Sequence, residues 1–166
     1  VSLAKDLELE ERDLLRGIAM SYLVGVSIIH RIGKVPSMCS CEMAACLGVA
    51  AGATLMRKGT YEQIAVAMQN TIPNVFGVVC DGAKLACALR ISSGTGIALE
   101  CSELALKGVR IANNQGVLGK TVDDSIEIIG KTALYAMVSS DRDLCKLLFE
   151  KRHIFPLTSF EDRQKQ

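Results

Sequence analysis

The stretch Met43-Ala-Ala-Cys-Leu-Gly-Val-Ala-Ala-Gly-Ala-Thr-Leu-Met56 carries no charge between Glu42 and Arg57, and it decides the fold. It is too short for a bilayer, which takes about 20 apolar residues. Its apolar positions follow neither strand alternation nor a single helical stripe, so it reads as a helix buried on every side. Gly48 and Gly52 stand one turn apart and let another backbone come close. That spacing reads as tight packing inside a core rather than as a membrane dimer face. The helix is expected over residues 37–58, with Ser37 as its N-cap and Gly59 as its C-cap.

Helical patterns extend outward in both directions. Over residues 9–32, Leu15, Ile18, Ala19, Tyr22, Val26 and Ile29 fall on one amphipathic stripe, and Gly33 ends the run. Thr60-Tyr-Glu-Gln63 has the form of a capping box and opens a helix reaching about residue 70, where Pro73 follows. The apolar run 75–79 is assigned to helix, because no partner strand is evident. Cys80-Asp-Gly82 reads as a turn into a helix over 83–90, and Ser92-Ser-Gly-Thr-Gly96 as a break before another helix over 97–107. Asn113-Asn-Gln-Gly116 is a turn. Asp123 and Asp124 start a helix to about 138, and Ser140-Asp-Arg-Asp143 opens a last one to about 151. The class is therefore all-α: one compact multi-helix domain around a buried small-residue helix, over residues 1–154, with a polar tail at 155–166.

The 166 residues suit one domain, and 49% apolar content is enough for a core. A net charge of +1 with no basic cluster argues against nucleic acid. No membrane partner is expected either. The opening stretch Lys5-Asp-Leu-Glu-Leu-Glu-Glu-Arg12 is charged and has no signal-peptide pattern. Seven cysteines, an odd number, stand partly inside apolar helical patterns. They point to a reducing compartment, the cytoplasm, and to thiols that bind metal, catalyse or simply fill the core, rather than to a disulfide framework.

Two cysteine groups stand out. Cys39-Ser-Cys41 is followed by Cys46, and Cys80-Asp-Gly-Ala-Lys-Leu-Ala-Cys87 places two thiols about two helical turns apart. Thiolates bind soft metals and iron–sulfur clusters. A turn at a helix start favours the thiolate, which suits Cys80. Neither spacing is that of a zinc finger or a ferredoxin, so on spacing alone buried inert thiols remain the commoner reading.

The run from Arg31 through Cys39-Ser-Cys41 to Ala53, the run Val79-Cys-Asp-Gly-Ala-Lys-Leu-Ala-Cys-Ala-Leu-Arg90, and the segments Ile111-Ala-Asn-Asn-Gln-Gly-Val117 and Thr121-Val-Asp-Asp124 together resemble the L-cysteine desulfidase-like proteins and the related iron–sulfur L-serine dehydratase alpha chains. The resemblance covers residues 11–148 and falls in the C-terminal part of that longer family. It implies a lyase that removes hydrogen sulfide from L-cysteine, or water from L-serine, to give pyruvate and ammonia. It implies a [4Fe–4S] cluster on three cysteines, with one iron left open as a Lewis acid, and no pyridoxal phosphate. Carried over residue by residue, the ligands are Cys41, Cys80 and Cys87, with Cys39 as the alternative to Cys41. Ser40 replaces the glycine usual in the family, Cys46 reads as a core thiol, and Cys101 and Cys145 read as core or surface thiols.

Asp81 reads as a helix cap or a substrate contact, and Lys84 as a carboxylate-binding or a solvated side chain. His30 and His153 have no nameable partner. The general base is expected in the missing N-terminal part of the same enzyme, which would be this chain's partner along with the small amino-acid substrate. A homodimer is a further expectation, and the chain alone should turn over substrate poorly. A non-catalytic metal-binding or subunit-interaction domain of the same all-α class is the other reading.

Overall fold

The computed structural model describes residues 1–33 and 36–154, so the expected polar tail lies outside the described residues. The elements in order are α1 (Ser2–Asp6), α2 (Glu11–Ile32), α3 (Ser40–Met56), α4 (Tyr61–Val75), α5 (Ala86–Leu106), α6 (Val122–Lys131), a π-helical segment (Thr132–Ala136) and α7 (Val138–Ile154). The class is all-α. The buried small-residue helix is α3, which packs on α2, α4 and α5 at once. Met43, Cys46, Leu47, Ala50 and Ala51 on it are all fully buried.

Glycine makes this packing possible. A Cβ on Gly48 would lie 2.7 Å from the Ser21 carbonyl oxygen, and one on Gly52 would lie 2.6 Å from the Gly17 carbonyl oxygen. The α2 backbone thus sits directly on the α3 glycines, as their spacing anticipates. The same contact overturns the stripe expected for α2. Leu15, Tyr22, Val26 and Ile29 are exposed, whereas Gly17, Ile28 and Ile32 are buried. At Gly17 and Ser21 only small residues let the two backbones approach so closely, which turns Leu15, Tyr22 and Val26 outward, while Ile28 and Ile32 enter the core nearer the helix end. By length and composition alone α2 could also cross a bilayer.

Several boundaries shift for local reasons. Helix α3 starts at Ser40 with Cys39 as its N-cap, because the Ser37 carbonyl is engaged elsewhere. At its end Lys58, not Gly59, takes the left-handed conformation, with φ of 61°. The Thr60–Gln63 capping box forms as its sequence says. Helix α4 runs past Pro73 to Val75, and Asn74 Nδ2 donates to the Asn70 carbonyl at 2.9 Å. Proline so near the end removes one backbone donor without stopping the helix.

The break expected at 92–96 is absent, and α5 is continuous from Ala86 to Leu106. Gly94 is there for packing: a Cβ would come within 2.3 Å of Cys46 Sγ on α3. Thr95 donates its hydroxyl to the Ile91 carbonyl at 2.7 Å, which satisfies it within the helix. A second capping box, Thr121 with Asp124, opens α6. The single helix expected from there to about 138 is interrupted by the π-helical segment, and α7 begins at Val138 rather than at Ser140.

Candidate functional site

The run 75–79 is not helical beyond Val75, and its partner is the segment before α3. Met38 and Val79 form an isolated antiparallel bridge. The Cys39 N–H donates to the Val78 carbonyl at 2.7 Å, and the Cys80 N–H donates to the Ser37 carbonyl at 2.8 Å. Two segments far apart in sequence, each carrying a cysteine of interest, are thereby pinned side by side. Met38 is fully buried beneath them. The sequence hides this pairing because one bridge leaves no alternating pattern to read.

Residues 80–85 do not form the helix start expected for them. Helix α5 begins at Ala86, with Leu85 as an N-cap that offers no side-chain hydrogen bond. Asp81 therefore does not cap it. Its carboxylate instead takes two cations, Lys84 and Arg90. Arg90 Nη2 lies 3.1 Å from Asp81 Oδ1, an ion pair without the alignment of a hydrogen bond. Arg90 Nη1 donates to the Val79 carbonyl at 3.0 Å. Cys87 Sγ lies 3.8 Å from the Gly82 carbonyl oxygen. Sequence reasoning missed Arg90; its position three residues after Cys87 was the only signal.

All seven cysteines are free. Cys41 is exposed, Cys80 and Cys87 are partly exposed, and Cys39 is buried. Burial pushes the Cys46 thiol up to about 12, helped by Glu42, Cys39 and Cys101 nearby. Cys101 is also raised, again chiefly by burial. Those two are protonated core thiols at neutral pH, in keeping with their reading from sequence. Glu42, which sequence reasoning passed over, is a buried acid whose Oε2 has no hydrogen-bond partner. It lies beside Cys46 and Gly94 and shares the first turn of α3 with Cys41.

Cys41, Cys80 and Cys87 are donors of the type an iron–sulfur cluster takes, and the bridge docks the segment carrying Cys41 on the one carrying Cys80. Among the described residues, however, no three His, Cys, Asp or Glu side chains already converge as a ligand set. The bridge brings Cys39 and Cys80 into one neighbourhood, and the Asp81–Arg90 contact folds the Cys80 turn back on the helix that carries Cys87. The surroundings are open: Leu85 is 96% exposed and Leu89 is 72% exposed.

The fold and this site define an all-α domain in which two thiol-bearing segments are held together by a backbone bridge. The chain belongs to the serine dehydratase alpha chain family, which it matches over residues 1–146. It is 31% identical over 148 residues to a UPF0597 protein of Desulfatibacillum aliphaticivorans, covering 89% of this chain and 34% of that protein. It is 32% identical over 150 residues to one of Clostridium tetani, covering 90% of this chain and 36% of that protein. With one of Phocaeicola vulgatus the figures are 34% over 149 residues, 90% and 34%. The chain thus spans about a third of the length of the curated relatives it matches. No solved structure matches it at a significant level.

Proposed function

We propose that the chain is the thiolate-bearing, C-terminal part of an iron–sulfur lyase that converts L-cysteine or L-serine to pyruvate and ammonia in the cytoplasm. The observation that supports this most is the Met38–Val79 bridge, which docks the Cys39–Cys41 segment on the Cys80 segment in a chain of the serine dehydratase alpha family. Cys80 and Cys87 would hold the cluster together with Cys41 or Cys39. Cys41 is exposed and so accessible to an incoming cluster, whereas Cys39 is the one tied directly to the opposite segment. When bound, a cluster with one iron free of protein ligands would supply a Lewis acid for the departing β-hydroxyl or β-thiol.

The chain's own residues would do the rest of the local work. Lys84 and Arg90 share the single carboxylate of Asp81, which leaves an excess positive charge at the turn. Lys84 would offer it to the α-carboxylate of the amino acid, while Asp81 keeps the ammonium group in place. The base that takes the α-proton would come from the part of the enzyme beyond this chain. A subunit-interaction role is the second reading, favoured by the bare Leu85 and Leu89 beside the site.

Anaerobic reconstitution with iron and sulfide, read by visible absorbance and iron content, tests the proposal. About four irons per chain, lost in both Cys80→Ala and Cys87→Ala, would support it. A folded wild-type chain that takes up no iron would leave the subunit-interaction reading. Pyruvate formation by a full-length relative, with and without Lys84→Ala at the equivalent lysine, then separates a lyase from a metal-binding domain.

A further inference from the structure

Cys80 lies in a turn and Cys87 in the first turn of α5, and no helix joins them. The Cys87 N–H donates to the Lys84 carbonyl at 2.9 Å within the intervening turn, and one side chain reaches across the whole gap. Arg90 stands three residues after Cys87 on the same helix, and helical side chains lean back toward the N-terminus. Its guanidinium therefore reaches back over the turn that carries Cys87. One nitrogen donates to the Val79 carbonyl at 3.0 Å, immediately before Cys80, and the other lies 3.1 Å from the Asp81 carboxylate, immediately after it. Arg90 thus grips Cys80 from both sides. The Cys80 N–H is held separately by the Ser37 carbonyl.

We propose that Arg90 is a positioning residue that keeps the Cys80 and Cys87 thiols within reach of one soft ligand. The inference rests on the reading of these two cysteines as ligands, and it deepens that reading. It also explains the choice of side chain. Two contacts in different directions need the planar fork of arginine; a lysine has a single nitrogen and can keep the charge but not both contacts. Lys84, paired with the other carboxylate oxygen of Asp81, makes no bond to the Val79 carbonyl and cannot take over this role.

The test uses the 166-residue chain and a probe other than iron. Phenylarsine oxide binds two neighbouring thiols at once. The part of its binding that Cys80→Ala and Cys87→Ala both remove reports on this pair. Partners that orient metal ligands typically matter by about 10- to 100-fold in affinity, and a loss of that size is expected in Arg90→Ala. Arg90→Lys should recover only part of it. Circular dichroism and the melting temperature should stay near wild type, since Arg90 and Asp81 are partly exposed and lie outside the core. Binding of Arg90→Ala within twofold of wild type, with the fold intact, would overturn the inference. Should Arg90→Ala fail to fold, Asp81→Asn replaces it: it breaks one of the two contacts and should weaken arsenical binding severalfold, and no change there would equally overturn the inference. Iron reconstitution of the same proteins separates the two proposals. A wild type that binds the arsenical tightly but takes up no iron sinks the cluster reading and leaves Arg90's role standing. Equal iron uptake by wild type and Arg90→Ala does the reverse.

Discussion

The α2–α3 seam and the 80–90 arm are built on opposite principles. In the seam two backbones touch through Gly48 and Gly52, and there is no room for a single added carbon. In the arm the chain is spread over the surface, held by the Cys80–Ser37 bridge hydrogen bond, the Arg90–Val79 hydrogen bond and the ion pairs of Asp81, with Leu85 and Leu89 bare. The arm carries Cys80 and Cys87 but few buried contacts, the condition for low local stability. Stability and the proposed chemistry are thus divided between regions, and substitutions should sort accordingly.

The largest effect is expected at the seam. In Gly52→Val the first added atom meets a backbone oxygen that cannot swing away. Overpacking of this kind should cost about 3 kcal/mol, or roughly 10 °C in melting temperature for a chain of this size. A melting temperature within two degrees of wild type would mean that the two helices are not in contact as described. Next comes Gly94→Ala, where the obstacle is the Cys46 thiol rather than backbone. A loss of about 1–3 kcal/mol is expected. Because a side chain is at fault, Cys46→Ala in the same chain should restore part of it, as directly touching pairs are non-additive. Strict additivity in that double-mutant cycle would remove the α3–α5 contact from the account.

These contacts also show where the sequence was legible. The uncharged run 43–56 announced a buried helix, and Gly48 with Gly52 announced a close approach, because burial and small size are local properties of the residues themselves. Both Thr60–Gln63 and the start of α6 were readable for the same reason. The face of α2 was not: Tyr22 and Val26 look like core residues, and only the seam, a property of two helices, turns them outward. Ser92-Ser-Gly-Thr-Gly96 looked like a break because Gly94 is a poor helix former, and its reason for being there lies across the interface at Cys46. At the site, Cys39, Cys41, Cys80 and Cys87 were visible as residue types. Their pairing through Met38 and Val79 was not, since one bridge leaves no period, and Arg90 acts only once the turn has folded back.

A smaller effect should follow from pH. The Cys46 thiol is pushed up to about 12 from an ordinary value of 9.0, chiefly by burial. Between those values the unfolded chain has lost the proton and the folded chain keeps it. Stability is therefore fully present below about pH 9 and falls as pH rises from there toward 12. One pH unit into that window the loss should be of order 1 kcal/mol. Melting curves from pH 8 to 10.5 should fall less steeply for Cys46→Ala than for wild type. They should not become flat, because burial also raises Cys101. Identical slopes in the two proteins would mean that the Cys46 thiolate is not excluded from the core.

The smallest effect on stability belongs to the arm, and it sharpens the contrast most. Asp81→Asn removes the carboxylate shared by Lys84 and Arg90, all of them partly exposed. Exposed pairs are worth about 1 kcal/mol or less, because water and salt already weaken the attraction. The variant should unfold within that margin of wild type, and the gap should shrink further as salt is raised from 0.05 to about 0.5 M. A loss as large as that of Gly94→Ala, unaffected by salt, would mean that the arm is part of the core. A small, salt-sensitive loss joined to weaker binding at Cys80 and Cys87 would show that Asp81 and Arg90 hold thiols in place rather than hold the fold together.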